Sequence, residues 1–439
     1  MTPGAQVAAA IDILAAIDTG ERPADEVAAD YFRHRRYIGA KDRSHIAGHV
    51  YTVLRHRAAL DWWIGKHASD IGSRSRVLAA LVLTEAWRPE TVAASCDGEK
   101  FRPARLSEAE KRLVSDLARH TLRHPEMPRA VANGLPEWLM PYLERVFGEG
   151  LEREMAALNG SAPIDLRVNL LKTDRTAVRR TLAAEGIKAE PTPWSPIGLR
   201  LTERVPFGGL AAFKDGLVEV QDEGSQLAAL LVDARPGMRV VDFCAGAGGK
   251  TLALAASMAN RGRLIACDVS AHRLEHAARR LRRAGIGNVE RRALTSERDK
   301  WVKRQAGGFD RVLVDAPCLG TGTWRRNPGD KWRLIEDDLA GLIVRQRDIL
   351  GSAARLVRPG GRLVYATCSL LHEENEGQAE AFLAATPGFS TVSVAQVWRE
   401  TIGGAAPGGE RYLRLTPARH GTDGFFVAIF ERKRCPTAS

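Results

Sequence analysis

VVDFCAGAGGKT, residues Val240 to Thr251, is the stretch that decides the fold. An apolar run typical of a buried strand passes through a glycine-rich turn into a segment with helical spacing. It ends in Gly-Lys-Thr, as a phosphate-binding P-loop does. A P-loop also needs a glycine separated from Gly249 by four residues, and Cys244 occupies that position. The dinucleotide-binding fingerprint is excluded as well, because its third glycine would fall at Thr251.

What remains is a turn between the first strand and first helix of a doubly wound sheet, where ligands usually bind. The backbone amides of such a turn are expected to be open to a small charged molecule. Asp268 ends the next strand, RLIACD, and an acid there typically binds the two hydroxyls of a ribose. This combination fits S-adenosylmethionine as well as any nucleotide. A turn with a purely structural role is the alternative.

Strand and helix patterns alternate beyond about residue 221, which predicts a parallel sheet covered by helices on both faces. The predicted strands are RVVDF, RLIACD, NVERR, FDRVLVD, GRLVYAT and GFFVAIFER, and the predicted helices span 249–258, 271–284, 340–357 and 373–385. The fold class is therefore α/β and Rossmann-like. Residues 5 to about 125 show helical spacing throughout, and a small α+β insert follows. We predict three domains, at 1–130, 131–215 and 216–439.

Composition narrows the functional classes. The chain has 439 residues and a formal charge of +11, which favours a polyanionic partner such as RNA. Its six cysteines, the last of them Cys435, form no CxxC pair, so we expect neither a metal site nor a disulfide framework but reduced thiols in a cytoplasm. The sequence shows neither a secretory signal nor an apolar membrane span, and we expect a monomer without membrane contact.

Two cysteines follow two strands at the same crevice, Cys318 in DAPC and Cys368 in ATCS. A single buried cysteine is usually packing, but two at one pocket favour chemistry. Carbon 5 of cytosine is a poor nucleophile until a thiolate adds at carbon 6. An acid must then stabilise the charge at ring nitrogen 3, and Asp315 is placed for it. A base must finally remove the carbon-5 proton, a step that Cys318 could perform or assist.

The motifs resemble those of the RNA cytosine-5 methyltransferases of the Sun/RsmB/NOL type over residues 135 to 433. They are QDEGSQLAALL, DFCAGAGGKT, DAPCLGTGTWRRNPGDKW, YATCSLLHEENE and DGFFVAIFER. The resemblance implies a seven-stranded sheet with an antiparallel last strand, S-adenosylmethionine as methyl donor, Cys368 as nucleophile and Cys318 in product release. In the DNA enzymes the PC cysteine is the nucleophile, so Thr367-Cys368 favours RNA. AKDRSHIAGHVYTVLRHR resembles a NusB-like RNA-binding domain, and LRVNLLKT resembles the family's RNA-contacting segment.

The predicted function is therefore methylation of a cytidine in RNA, most simply small-subunit ribosomal RNA. Transfer RNA as substrate, or a non-catalytic RNA-binding assembly factor, are the alternatives. The predicted catalytic residues are Cys368, Cys318 and Asp315. The predicted cofactor-binding residues are Cys244, Ala245, Gly246, Ala247, Gly248, Gly249, Lys250, Asp268, Arg273 and Asp315.

Two positions depart from the family pattern. Gly246 and Ala247 replace the Ala-Pro of CAAPGGKT, which should loosen the turn without removing its amides. The acid expected after the third strand, near the adenine amine, is missing, and Leu294 or Thr295 stands in its place. Backbone groups or Asp299 are the predicted substitutes.

Several polar clusters allow two interpretations. Arg33 to Arg36 and Arg55 to Arg57 could contact RNA phosphates or form solvated helix faces. Phosphate binding is favoured over a solvated loop for Arg325, Arg326, Lys331 and Arg333. Glu374, Asn375 and Glu376 could begin a helix or serve the catalytic pocket, and Trp324 and Trp332 could stack on bases or pack the loop.

Overall fold

The computed structural model describes residues 1–20, 22–67, 70–203, 205 and 207–434; Cys435 lies outside them. These residues form two compact units. The first contains residues 1–161 and 324–336, and the second contains 162–323 and the chain from 337 onward. Residues 131–161 thus group with the helical part of the chain, and the three-domain division stays a prediction. None of the helices described has the length and apolar character needed to cross a membrane.

The first unit is all-α, as its helical spacing predicted. Its helices are α1 (Pro3–Asp18), α2 (Ala24–His34), α3 (Ala40–Lys66), α4 (Ser73–Leu83), α5 (Pro89–Ser95), α6 (Glu108–Leu117), α7 (Arg129–Asn133), α8 (Met140–Phe147) and α9 (Leu151–Leu158). The periodic apolar residues, such as Leu14, Val50 and Leu78, form one buried core. Helix α6 begins at a capping box, in which Ser107 and Glu110 bond reciprocally to each other's backbone N–H groups.

The second unit opens with a small antiparallel sheet. Its elements are β1 (Ile164–Val168), α10 (Arg175–Ala184), β2 (Ala189–Pro191), β3 (Gly198–Leu201), α11 (Ala211–Lys214) and β4 (Val218–Val220). The strand order is β2-β3-β1-β4. One face of the sheet buries Leu166 and Val168 against Val178 and Leu182 of α10. Helix α12 (Glu223–Leu230) leads from this sheet to the larger one.

The larger sheet follows in alternation with helices. Its elements are β5 (Arg239–Asp242), α13 (Gly249–Ser257), β6 (Arg263–Asp268), α14 (Ala271–Ala284), β7 (Val289–Ala293), α15 (Lys300–Arg304), β8 (Phe309–Asp315), α16 (Glu336–Ala354), β9 (Val357–Thr367), α17 (Glu376–Ala385), β10 (Phe389–Val392), α18 (Val394–Thr401), β11 (Leu413–Leu415), α19 (Pro417–His420) and β12 (Phe425–Arg432). The order is β10-β12-β9-β8-β5-β6-β7, and β11 pairs with β12.

This arrangement confirms the Rossmann-like prediction. Strands β5 to β9 pair in parallel, and β12 runs antiparallel to β9. Both faces of the sheet are buried, since Val241 and Val312 belong to one core cluster while Val240 and Leu313 belong to another. The difference is an eighth strand, because β11 adds to the far side of β12.

Candidate active site

The carboxyl ends of the parallel strands meet at one edge and enclose a cavity of about 310 Å³. Six of the predicted site residues line it: Cys244, Asp268, Arg273, Asp315, Cys318 and Cys368. The remaining walls come from Phe243, Val269, Leu294, Glu297, Ala316, Pro317, Arg345 and Ile349. The doubly wound topology therefore brings together residues that lie up to 124 positions apart in the chain, counting from Cys244 to Cys368.

The two thiols are adjacent. The sulfur of Cys318 lies 3.4 Å from that of Cys368, and both side chains are half-buried. Their hydrogen bond, together with burial, raises the pKa of the Cys318 thiol well above its usual range. Either sulfur can donate the S–H of this hydrogen bond to the other. The thiolate is the form in which a cysteine sulfur is nucleophilic.

A buried ion pair lies beside these sulfurs. The Lys250 ammonium donates to Oδ2 of Asp315 at 2.8 Å. Burial alone would lower the pKa of Lys250, but the charges of Asp315 and, more weakly, Cys368 raise it above its usual value. Lys250 therefore keeps its proton in the interior. A positive charge thus lies next to the carboxylate and the sulfurs that line the cavity.

The glycine turn requires glycine at two positions. Gly246 and Gly248 have φ values of +53° and +80°. A Cβ at Gly246 would also lie 2.6 Å from Nη2 of Arg273, and one at Gly248 would lie 2.9 Å from Cβ of Ala277. Both positions therefore exclude larger residues by conformation and by space.

The turn's amides are less open than the sequence suggested. The N–H of Gly246 donates to Oδ2 of Asp268 at 2.7 Å. The N–H groups of Ala245 and Gly248 donate to the carbonyls of Cys267 and Ala245. The prediction of open amides is wrong for these three residues, because the end of β6 accepts two of the N–H groups and the turn itself accepts the third.

Two arginines that the sequence did not single out support the turn from behind. Arg167 of β1 donates to the carbonyl of Gly249 at 2.7 Å, and Arg280 of α14 donates to that of Ala247 at 2.8 Å. Arg167 is fully buried, and burial lowers its pKa to about 10. It belongs to LRVNLLKT, the segment expected to contact RNA, so at this residue the segment instead holds the glycine turn.

The loop after β7 supplies an acid that the sequence analysis missed. Glu297 lines the cavity together with Leu294. Asp299 does not, because its carboxylate caps α15, accepting from Thr295 N–H and O–H at 3.0 Å and from Trp301 N–H at 2.8 Å. These hydrogen bonds lower the pKa of Asp299 to about 2. Asp299 is thus excluded as the missing acid's substitute, whereas Glu297, three residues after Leu294, reaches the cavity.

Glu374 and Asn375 are buried beneath the cysteine loops and do not line the cavity. Oε1 of Glu374 accepts from the Leu319 N–H at 3.0 Å, next to Cys318. Asn375 accepts from the Thr367 hydroxyl at 2.5 Å and donates to the Ser369 carbonyl at 2.9 Å, on both sides of Cys368. Their role is to position the two sulfurs. Glu376 instead forms an ion pair with Arg414.

For two of the four basic residues in the segment 324–336, burial excludes the phosphate contacts that the sequence favoured. Arg325 and Lys331 are buried inside the first unit, and Lys331 Nζ donates to Oδ1 of Asn159 at 2.7 Å. Of the tryptophans, Trp324 is buried and Trp332 donates to the carbonyl of Leu54, so both pack the segment. Only the half-buried Arg326 and the exposed Arg333 retain access to solvent.

The cluster Arg55 to Arg57 is not a solvated helix face. All three side chains are half-buried rather than solvated. Arg57 forms ion pairs with Asp18 at 3.3 Å and Asp61 at 3.7 Å. Burial and, less strongly, the charges of Lys331 and Arg55 lower the pKa of His56 to about 4. The cluster serves packing within the helical unit.

The cavity suits an adenosine. Apolar walls from Val269, Leu294 and Ile349 are flanked by the carboxylates of Asp268 and Glu297. Carboxylates accept hydrogen bonds from ribose hydroxyls and from an exocyclic amine, while apolar walls accommodate the ring. The residues present therefore fit S-adenosylmethionine.

Comparison with known proteins agrees with this chemistry. The family described as 16S rRNA methyltransferase RsmB/F matches residues 229–431, and the ferredoxin-like domain of RsmF/B-like methyltransferases matches residues 135–208. Ribosomal RNA small subunit methyltransferase B of Pseudomonas syringae is 36% identical over 67% of this chain and 64% of its own length.

Two further similarities extend over nearly the whole chain. Probable ribosomal RNA small subunit methyltransferase B of Synechocystis is 30% identical over 93% of this chain and 95% of its own length. The crystal structure of PH0851 has a TM-score of 0.79 at 26% identity and covers 98% of this chain and 99% of its own. This chain belongs to the RsmB/F family of ribosomal-RNA methyltransferases, with S-adenosylmethionine as the methyl donor.

Proposed function

We propose that the protein methylates carbon 5 of a cytidine in RNA through a covalent adduct between Cys368 and carbon 6. The observation that carries the proposal is the pair of sulfurs 3.4 Å apart beside the Lys250–Asp315 ion pair. One sulfur can bond the base while the other takes part in a separate proton-transfer step. A methyltransferase acting on an already nucleophilic atom needs neither sulfur.

The reaction uses each of these groups once. The Cys368 thiolate adds to carbon 6, and the electron pair of the 5,6 double bond moves toward carbon 5. Lys250 and Asp315 stabilise the charge that spreads into the ring. Bound S-adenosylmethionine supplies an electrophilic methyl group. Removal of the carbon-5 proton, which Cys318 performs or assists, restores the double bond and expels Cys368 as a thiolate.

The cofactor would be held by the turn from Cys244 to Gly249 and by the acids at the next strand ends. Asp268 is assigned to the ribose hydroxyls, as the sequence predicted. Glu297 is assigned to the adenine amine, with Leu294 beside the ring, and Arg273 closes the wall next to Gly246. An acid in this loop also removes the main reason for considering a non-catalytic assembly factor.

Small-subunit ribosomal RNA is the proposed substrate, in the cytoplasm. The relatives that cover most of this chain carry that activity in their names. The target cytidine must be unpaired or flipped out, because the sulfurs lie inside a cavity. The pocket residues by themselves are equally compatible with transfer RNA.

The test compares Cys368→Ala with Cys318→Ala on 16S ribosomal RNA and isotopically labelled S-adenosylmethionine. Cys368→Ala should lose methyl transfer. Cys318→Ala should accumulate a protein–RNA adduct that survives denaturing electrophoresis. Cys96→Ala, in the helical unit, is the matched control and should remain active. Full activity of Cys368→Ala would refute the role assignment. Bisulfite sequencing of RNA from a deletion strain would then locate the modified cytidine.

A further inference from the structure

The helical unit contains an open groove of about 1150 Å³, lined by α1, by the chain from the end of α2 to Ile38, and by residues 99–102. Part of its lining is a row of alanines on α1, Ala5, Ala8 and Ala9, whose short side chains leave the space open. The volume exceeds the range of roughly 300–1,000 Å³ usual for small-molecule pockets. An extended chain segment therefore suits the groove better than a single small ligand.

Two aromatic rings in the groove are exposed to solvent. Tyr37 is 76% exposed and Phe101 is 74% exposed. Phe101 also has a φ of +68°, a conformation that bulky residues rarely adopt and that is often found at functional sites. Exposing two large rings has no packing benefit within the helical unit.

Two of the three side-chain cations that line the groove lack a carboxylate partner among the described residues, whereas Arg102 pairs with Asp97. The Arg35 guanidinium lies 3.7 Å from the ring centre of Tyr31, and the Lys100 ammonium lies 5.2 Å from that of Phe101. Neither Arg35 nor Lys100 forms an ion pair with any other described residue. Positive charge and aromatic faces thus remain available to a ligand on the same surface.

We propose that this groove binds single-stranded RNA, with bases stacking on Tyr37 and Phe101 and phosphates near Arg35 and Lys100. The proposal rests on RNA being the substrate of the proposed function and assigns part of its recognition. Stacking on aromatic side chains is available only to bases that are not already stacked in a duplex.

Two carboxylates in the groove strengthen the choice of single strands. Asp12 and Glu99 also line it, and Asp12 accepts a hydrogen bond from the Tyr31 hydroxyl at 3.2 Å. These charges repel the dense phosphates of a duplex. A single strand can turn its bases toward the rings and keep its phosphates on the side of the cations.

The test uses the full-length protein and a fluorescein-labelled 12-nucleotide oligouridylate, followed by fluorescence anisotropy at fixed ionic strength. Tyr37→Ala and Phe101→Ala should each raise Kd about tenfold, because one stacking platform is lost. Tyr37→Phe and Phe101→Tyr keep a ring and should bind as the unmodified protein does. Ile71→Ala removes an exposed apolar side chain, 50% accessible, elsewhere in the unit and should leave Kd unchanged.

A second measurement locates the RNA directly. Oligouridylate containing 4-thiouridine should cross-link to peptides that include Tyr37 and Phe101. The variant that combines Tyr37→Ala and Phe101→Ala provides the decisive comparison. If its Kd lies within twofold of that of the unmodified protein, or if cross-links form only elsewhere, the proposal is overturned and the groove is left to a protein partner. The substrate contains no cytidine and no methyl transfer is measured. The result is therefore independent of the catalytic assignment.

Discussion

The short distance between the sulfurs of Cys318 and Cys368 should make the pair sensitive to oxidation. A hydroperoxide can oxidise the Cys368 thiolate to a sulfenic acid and is itself reduced to an alcohol or water. The Cys318 sulfur then displaces the hydroxyl group, which leaves as water, and a disulfide forms. We predict that peroxide abolishes methyl transfer and that dithiothreitol restores it.

Peptide mapping without reduction checks this prediction. The Cys318 and Cys368 peptides should be joined, with the loss of two hydrogens. Cys267, fully buried in β6, should remain a thiol and serves as the internal control. Inactivation without a link between these two peptides would show that another residue is the sensitive one.

The assignment of Glu297 gives a prediction about cofactor affinity. Glu297→Ala should raise the Kd of S-adenosylmethionine by about tenfold or more, since hydrogen bonds to charged groups contribute about 1.5–3 kcal/mol. Isothermal titration calorimetry measures this Kd. Glu290→Ala is the control, because Glu290 lies on β7 and pairs with Arg263 at the surface.

An analogue with oxygen in place of the adenine amine sharpens the comparison. It should bind the unmodified protein weakly and should lose no further affinity in Glu297→Ala, because the amine partner is already absent. Equal losses for both ligands would mean that Glu297 acts elsewhere than at the amine.

Lys331 predicts a pH dependence of stability. Burial, with a smaller effect from Arg55, lowers its pKa from 10.5 to about 7. Between these two values the unfolded chain holds a proton that the folded chain has released, so the free energy of unfolding should rise as pH increases from about 7 toward 10. Urea unfolding at several pH values should show a smaller rise in Lys331→Met, and identical slopes would contradict the prediction.

Single residues show clearly what could be read from the sequence. Cys318, Cys368, Asp268 and Asp315 were found because each ends or closely follows a strand of a parallel sheet, and such positions share one edge. Glu297 was missed because it lies inside an irregular loop whose path depends on the capping of α15 by Asp299. Nothing in the local pattern distinguishes its direction from that of its neighbours.

Helices and strands were predictable where their ends carry local signals. Helix α14 begins and ends at the predicted residues, because Ser270 caps its first turn and Gly285 ends it with a φ of +73°. Helix α16 is shifted to Glu336–Ala354 from the predicted 340–357, since Val357 already pairs with Phe309 in the sheet. That pairing joins residues far apart in the chain, so no local sequence signal marks it.

The connection between β9 and α17 predicts how a buried amide supports catalysis. Asn375→Ala would leave the Thr367 hydroxyl and the Ser369 carbonyl without their partner, a loss of about 1–3 kcal/mol of stability. We expect a lower kcat with an unchanged Kd for S-adenosylmethionine, because Asn375 flanks Cys368 and does not line the cavity. Gln396→Ala, which removes an exposed hydrogen bond to Glu400, should change neither. An increased Kd in Asn375→Ala would place its effect on the cofactor site.

The two compact units of the chain do not follow the order of the sequence. The segment 324–336 follows the Cys318 motif directly in sequence, yet it belongs to the compact unit formed by residues 1–161. The sequence favoured phosphate binding for its basic residues, because their burial depends on residues such as Asn159 and Leu54, far away in the chain. Sequence patterns report the neighbours of a residue along the chain and not these distant ones.

The net charge predicts how RNA binding responds to salt. With 64 basic and 53 acidic residues, the protein should bind single-stranded RNA with a logarithm of affinity that falls linearly with the logarithm of salt concentration, by about 0.7 per neutralised phosphate. If three phosphates are neutralised, a fourfold increase in salt weakens binding about twentyfold. Anisotropy titrations at several salt concentrations measure the slope. S-adenosylmethionine carries no phosphate, and its Kd over the same range should change less than twofold. A flat RNA response would mean that the excess positive charge lies away from the bound strand and that stacking alone holds it.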